Sequence, residues 1–399
     1  MKANSENLVA LLRDYGALPF TQLTAFRDAS RSKTGQEIDE LIRLGVVASE
    51  GPAPSRGGRP SRMVGLSDSV RFVGVDIGAT SISVALTDGY LRVLEFDEEP
   101  SDVRNSPEVV LGQAVGMVRR LCATPDGPVP AIGAGVGLPG PVSFGEGTPI
   151  VPPLMPGWDG YPVRDHLSEE LGVAVTVDND VNIMALGELQ AGAARGVPNF
   201  MFVKIGTGIG CGIVVDGRLY RGHAGAAGDI GHITVGETTV MCHCGRSGCL
   251  EAQFGGAALA RRAVVAAQSG ESPMLSGRLR EQGHLTAADV NWASAAGDSA
   301  ANRLIRGGGQ LVGQVLAGLI NFFNPAMIVV GGGLSQLGPL LLAEIRSVVL
   351  DRSTPLATHD LAVVMSSLAG RAGVTGAARL ASETFIENLV RASQARGRP

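Results

Sequence analysis

The stretch FVGVDIGATSISVALT, residues 72–87, decides how the chain is read. Phe72–Ile77 is an apolar run with the length and residue types of a buried strand, and Ile82–Thr87 is a second one. Only Gly78, Ala79, Thr80 and Ser81 separate them, so the connection is a tight turn. A strand–glycine turn–strand hairpin differs from the Walker loop, which feeds a helix. Its turned backbone N–H groups can still cradle a phosphate, although a plain hairpin satisfies the same pattern. Two more glycine clusters stand at strand ends. Gly206, Thr207 and Gly208 lie between two apolar runs, and Gly331-Gly332-Gly333 follows the apolar run Ala326–Val330. Three such loops fit two similar halves facing a nucleotide-sized cleft; they also fit three unrelated turns.

Working outward, the 399 residues predict two or three domains, and 45% hydrophobic with 18% charged residues excludes wholesale disorder. The 56 glycines cluster beside apolar runs, as functional turns in an α/β protein do. Met1–Tyr15 is polar and then amphipathic, which is not a secretory signal, and no apolar run long enough to span a bilayer is expected. These features predict a cytoplasmic protein with no membrane partner.

Three of the five cysteines crowd together. His232, Cys242, Cys244 and Cys249 form the pattern H-x9-C-x-C-x4-C. One imidazole and three thiolates complete a tetrahedral shell with no open position, so a structural Zn2+ is expected. Buried free thiols beside a chance histidine would be the alternative. His243 lies between two ligands and is badly placed to fold back. Cys122 and Cys211 fall outside the pattern and read as core residues.

The strand Val173–Val177 ends in Asp178-Asn179-Asp180, ahead of a helix over 183–193. A carboxylate at a strand's carboxyl end faces the cleft of an open α/β sheet. Asp180 is a candidate base for a sugar hydroxyl and Asn179 a candidate hydroxyl ligand. Both residue types also serve as helix N-caps.

Residues 1–71 carry ten Lys/Arg against eight Asp/Glu, whereas the remainder carries 23 against 30. A weakly basic head on an acidic body is compatible with DNA binding by the head. Apolar spacing predicts helices over 5–15, from Pro19 and from Ser30 to Leu44, followed by strands at Val46–Val47 and Met63–Leu66. Three helices and a basic hairpin make a winged helix-turn-helix. Ser30, Arg31, Ser32 and Lys33 open its third helix, and Arg56, Arg59 and Arg62 sit on the wing. A small helical interaction domain with a glycine-rich linker fits the same helix count.

Residues 72–385 resemble the ROK family of repressors and sugar kinases, and the complete chain resembles its repressor branch. The resemblance rests on Asp76–Ser81, Gly137–Pro141, Pro156-Gly157-Trp158, Asn179-Asp180, Gly206–Gly212, and His223–His232 with the three cysteines and Glu251. It implies an α/β, actin-like two-lobed body behind the winged helix-turn-helix: head 1–71, first lobe 72–182, second lobe 183–399. It implies sugar contacts at Asn179, Asp180, Asp229, His232 and Glu251, with Asp180 the catalytic base in a kinase. It also implies nucleotide contacts at Gly78, Thr80, Gly206, Thr207, Gly208 and Gly332. Family kinases carry Gly and Lys where this chain has Ala79 and Ser81, and Gly where it has Cys211. The added methyl and the lost charge argue against ATP use while leaving the sugar groups in place. In the head, Asp28 replaces the usual turn glycine, and Gly35 lies inside the recognition helix, costing about 1 kcal/mol relative to Ala.

The expected function is therefore a sugar-responsive repressor. Its partners would be operator DNA and a sugar or sugar-phosphate effector, and its form a homodimer or homotetramer. An ATP- and Mg2+-dependent hexose kinase is the alternative, and a protein–protein scaffold a third.

Overall fold

The computed structural model describes residues 7–27, 29–52, 61–124, 127–128, 130–236 and 238–396. It contains two compact units: Met1–Ile150 with Gly157–Asp180 and Gly373–Pro399, and Val151–Pro156 with Val181–Ala372.

The first unit begins with α1 (Leu8–Tyr15), opened by the Asn7 side chain, which accepts from Val9 N and Ala10 N, and ended by Gly16 at φ +83°. A two-residue strand β1 (Leu18–Pro19), α2 (Phe20–Phe26) and α3 (Arg31–Arg43) follow. Most of the apolar stripes expected from the periodicity are buried, Leu8, Leu11 and Leu12 of α1, Leu23 of α2, and Thr34, Ile38 and Leu41 of α3, whereas Tyr15, expected in the first stripe, is exposed, and Ile42, expected in the third, is half-buried. Strands β2 (Val47–Pro52) and β3 (Arg62–Leu66) complete an antiparallel sheet of order β1-β3-β2. Two-residue β1 carries no alternation that sequence could reveal. Asp28, Arg56 and Arg59 lie outside the described residues.

The decisive hairpin is present as β4 (Arg71–Ile77) and β5 (Ser81–Asp88), followed by β6 (Val93–Pro100) and α4 (Pro107–Leu121). Short β7 (Ala123–Thr124) and β8 (Gly127–Pro128) pair, as do β10 (Val142–Ser143) and β11 (Thr148–Pro149) after β9 (Ala134–Leu138). Helix α5 (Val163–Leu171) leads to β12 (Val175–Asn179). The sheet runs β12-β9-β4-β5-β6, with β12, β9 and β4 parallel and the rest an antiparallel meander.

Helix α6 (Asp180–Ala191) leads into the second unit, where the plan recurs. The hairpin β13 (Phe200–Ile205) and β14 (Ile209–Val215) carries β15 (Arg218–Tyr220) at its edge. Helices α7 (Leu250–Phe254), α8 (Gly256–Gln268), α9 (Pro273–Gln282), α10 (Ala287–Ala295) and α11 (Ser299–Phe323) precede β16 (Met327–Gly331). Then come α12 (Gly338–Arg352), α13 (Pro355–Thr358) and β17 (Ala362–Met365), giving the order β15-β14-β13-β16-β17 with β13, β16 and β17 parallel. One stretch, Gly333–Arg352, is apolar enough by length and composition to cross a membrane, contrary to the sequence expectation. Here its Leu341, Leu342, Ile345 and Val349 face is buried in the unit's core with Ile305, Val312 and Leu316 of α11.

The last helix, α14 (Ala372–Arg396), belongs from Gly373 onward to the first unit, although the sequence boundaries assign it to the second lobe. It lies backbone-close on the first sheet. A Cβ at Gly74 of β4 would come within 2.0 Å of Val374 O, and one at Gly135 of β9 within 1.9 Å of Ala377 O. Further along, Ala378, Ala381 and Ile386 enter the apolar cluster formed by Leu8, Leu12, Leu23, Ile38, Val64 and Phe72. Arg379 pairs with Glu383 at 2.9 Å and approaches Asp14 of α1 at 3.9 Å. The Tyr90 hydroxyl, on the turn after β5, accepts from Leu66 N at 2.8 Å. The first three helices and the first sheet thus share one core.

Two glycine substitutions are expected to move stability in opposite directions. Gly135→Ala forces a methyl into the α14 backbone and should cost about 3 kcal/mol. Gly112→Ala, in α4 with nothing within 4 Å of its added Cβ, should gain about 1 kcal/mol of helix propensity. Denaturant midpoints of the two variants against the parent check both signs.

Candidate functional site

In the first unit, parallel pairing aligns strand ends. Asp76 stands opposite Gly137, Gly137 opposite Asp178, and Leu138 opposite Asn179. The turn carrying Gly78 and Thr80 and the pair Asn179-Asp180 therefore share one sheet edge. Gly78 N donates to Ser81 O at 2.8 Å and closes the turn, whose Ala79 and Thr80 carbonyls accept from Val103 N and Ser101 N. Asn179 is oriented twice: its amide nitrogen donates to Gly140 O and its backbone N to Asp178 Oδ1, each at 2.7 Å. Asp180 is itself the first residue of α6 and only 3% exposed.

In the second unit, Lys204 pairs with Gly331, which places two glycine loops on one edge. Gly206 N donates to Gly208 O at 2.9 Å, and Gly256 N, opening α8, donates to Gly206 O at 2.8 Å. Gly332 has φ +87°, and a Cβ there would meet Ile205 O at 2.7 Å, so only glycine fits. Glu251 reaches across from α7: its Oε2 accepts from Ile209 N at 3.0 Å and would stand 2.8 Å from a Cβ on Gly208. This candidate sugar ligand therefore also fixes the second loop. Gly228, at φ +93°, packs against the Cys211 carbonyl so closely that a Cβ would overlap it at 1.7 Å. That contact seats Asp229, whose Oδ1 lies 3.9 Å from His232 Nε2.

His232, Cys242, Cys244 and Cys249 converge as the spacing predicts, their ligand atoms all within 4.8 Å of one another. Cys244 Sγ lies 3.7 Å from Cys249 Sγ, and Cys242 Sγ 3.5 Å from His232 Nδ1. Tetrahedral zinc separates two sulfurs by about 3.8 Å and sulfur from nitrogen by about 3.5 Å, so the donor set is compatible with a structural zinc. Nδ1 faces the sulfurs and Nε2 faces Asp229, the arrangement in which a carboxylate orients a metal-ligating imidazole. Exposed His243 is not one of the converging group. Burial pushes the Cys249 thiol up to about 12 and raises Cys242, whereas hydrogen bonding from the Arg246 backbone pulls Cys244 to about 7. Cys211 is buried, as expected of a core residue, and its thiol is driven up by desolvation; Cys122 is only half-buried, at the end of α4.

In the head, the Ser30 hydroxyl caps α3, accepting from Lys33 N at 3.2 Å, while Arg31, Ser32 and Lys33 are exposed. Arg62 is paired with Asp39 at 3.2 Å. Arg62 and Arg31 both stack on Phe20, at 5.4 and 5.5 Å from its ring centroid. Neither Phe20 nor Asp39 was legible as a functional candidate, because no periodicity or motif marks a lone aromatic after a proline.

A sheet opened by a glycine-turn hairpin, built twice, with a His/Cys3 cluster in the second unit, is the actin-like kinase fold in its ROK form. The ROK family profile matches residues 72–384, and the chain belongs to the ROK family. Over 99% of both chains it superposes, at 25% identity and a TM-score of 0.81, on a ROK family transcriptional regulator described as a homologue of the E. coli MLC protein. A ROK glucokinase from Streptomyces griseus, in complex with glucose and AMPPNP, matches 78% of this chain and 99% of its own (30% identity, TM-score 0.69). Among curated relatives, the xylose repressor of Caldicellulosiruptor bescii is 28% identical over 89% of each chain. The glucokinase of Halalkalibacterium halodurans is 34% identical over 76% of this chain and 93% of its own.

After treatment with a chelator, Cys244 is expected to alkylate first at neutral pH, being the most accessible and most acidic of the three thiols. Peptide mass spectrometry over a time course of iodoacetamide checks the order; earlier modification of Cys249 would contradict the geometry.

Proposed function

We propose that the protein is a sugar-responsive transcriptional regulator whose head is a DNA-binding winged helix-turn-helix. The observation that carries this reading is the likeness over 99% of both chains, head included, to a ROK transcriptional regulator. The glucokinase relatives match only about three quarters of the chain. The first phosphate turn supports it chemically. Ala79 puts a methyl where backbone would approach a phosphate, and Ser81 offers no cation to a transferring phosphoryl group.

In this reading Asn179, Asp180, Asp229, His232 and Glu251 bind sugar hydroxyls, and the effector acts only to the extent that it binds one conformation better than another. A homodimer or homotetramer would present paired heads to operator half-sites. Zinc would be held by His232 and the three cysteines as a structural ion, its binding energy contributing to folding. An ATP-dependent hexose kinase is the second reading. It is favoured by the buried carboxylate of Asp180 at the end of β12 and by the surviving loops at Gly78, Gly206, Gly208 and Gly332.

Gel-shift titrations on the DNA upstream of its own gene, with and without xylose or glucose, test the proposal. Binding that changes with one sugar, together with negligible sugar-dependent ATP turnover, is the expected result. Asp180→Asn should weaken sugar binding in calorimetry about ten-fold or more, a hydroxyl losing its charge-assisted partner, and leave sugar-free DNA binding intact. Robust phosphorylation of a hexose, abolished by the same substitution, would establish the kinase instead. Separately, Cys244→Ser should lower both the zinc content, from one per chain, and the melting temperature; an unchanged melt in metal-free protein would remove zinc from the account.

A further inference from the structure

The exposed opening of α3 and the start of β3 are brought together by one ring. Phe20 opens α2 immediately after Pro19, and both Arg31 and Arg62 place their guanidinium groups within 5.5 Å of its centroid. The two arginines differ in what else they touch. Arg62 is neutralised by Asp39, farther along α3. Arg31 has no ion pair among the described residues and is exposed. The neighbouring chain is pinned to the same place, because Thr21 N donates to the Ser61 hydroxyl at 3.3 Å. Gly35, one turn along α3 from Arg31, faces the same ring, and an added Cβ there would lie 3.9 Å from Phe20 Cζ, an ordinary contact.

We propose that Phe20 is a positioning residue of the DNA face. Its ring holds the Arg31 guanidinium at the amino end of α3, ready for a backbone phosphate, while the Arg62–Asp39 pair braces the ring and does not itself contact DNA. An arginine on a flexible stem loses rotamer freedom when it binds, and stacking on a fixed ring removes part of that loss beforehand. The cation–π attraction supplies the hold without neutralising the charge that the phosphate needs. This inference rests on the DNA-binding reading of the head.

Fluorescence-anisotropy titrations with labelled duplexes tiling the DNA upstream of the protein's own gene, at one fixed salt concentration, test it. Phe20→Tyr, which keeps an aromatic face, should bind within two-fold of the parent. Phe20→Leu, which keeps bulk but not the ring, should weaken binding about five-fold. Phe20→Met supplies the same arm if Phe20→Leu lowers the melting temperature. In an Arg31→Ala background the Phe20→Leu effect should vanish, and Arg62→Ala alone should cost less than Arg31→Ala. Parent-like affinity of Phe20→Leu, or a loss that persists in full without Arg31, overturns the positioning role while leaving the regulator reading standing. A parent protein that binds none of the duplexes overturns both.

Discussion

The contact on which the first unit depends is the backbone-to-backbone seam between α14 and the first sheet. Helices ordinarily stand off a sheet by the thickness of two side-chain layers. Here Gly74 and Gly135, on the adjacent parallel strands β4 and β9, remove one layer, and the small residues Ala377, Ala378 and Ala381 thin the other. Gly373, where α14 enters the unit, is equally tight, for a Cβ there would fall 1.8 Å from Asp76 Oδ2. The start of the helix is therefore set against the strand end that carries the first glycine turn.

That seam determines how the head is held. Ala378, Ala381 and Ile386 lie on the same helix and in the same apolar cluster as Leu8, Leu12, Leu23 and Ile38. A head joined only by a linker would need a closed core of its own. Here the core is completed by residues more than 300 positions away in sequence, and Phe72 of the first sheet is part of it. Burying these groups together ties the orientation of α1–α3 to that of β4. The carboxyl end of β4 and the head thus pack against one shared element, α14.

Much of this was legible in the sequence, and the reasons differ by element. Helices α1 and α3 announced themselves because each buries one periodic face, and α2 through Pro19 at its start. The hairpin of β4 and β5 was legible because four residues between two apolar runs leave no room for a helix. The His/Cys3 cluster was legible because ligand chemistry restricts spacing, and His232, Cys242, Cys244 and Cys249 converge. The return of α14 to the first unit was not legible, since a seam of glycine and alanine carries no hydrophobic contrast and its partners are remote. The Phe20 stack was hidden for a related reason: Arg31, Arg62 and Asp39 meet it only through tertiary folding.

The residues that the family resemblance implies as sugar ligands also make other contacts, and this bears on how variants are interpreted. Glu251 binds the amide of Ile209 and so shapes the second glycine loop. His232 belongs to the cysteine cluster through Nδ1 and faces Asp229 through Nε2. Replacing either would displace a loop or disrupt the His/Cys3 cluster as well as remove any hydroxyl contact. Asn179 is confounded in the same way, because its side-chain amide donates to Gly140 O and removing the side chain would break that bond too. Asp180→Asn keeps the size and shape of the buried side chain at the start of α6 and changes chiefly its charge. A carboxylate suited to removing a proton from a hydroxyl is, without phosphoryl transfer, equally suited to accepting that hydroxyl's hydrogen bond. Retention of Asp180 is therefore compatible with a binding protein as well as an enzyme. If the first glycine turn meets phosphate as the family resemblance implies, the two readings differ there, at Ala79 and Ser81, since a sensor needs no cradle and a kinase does.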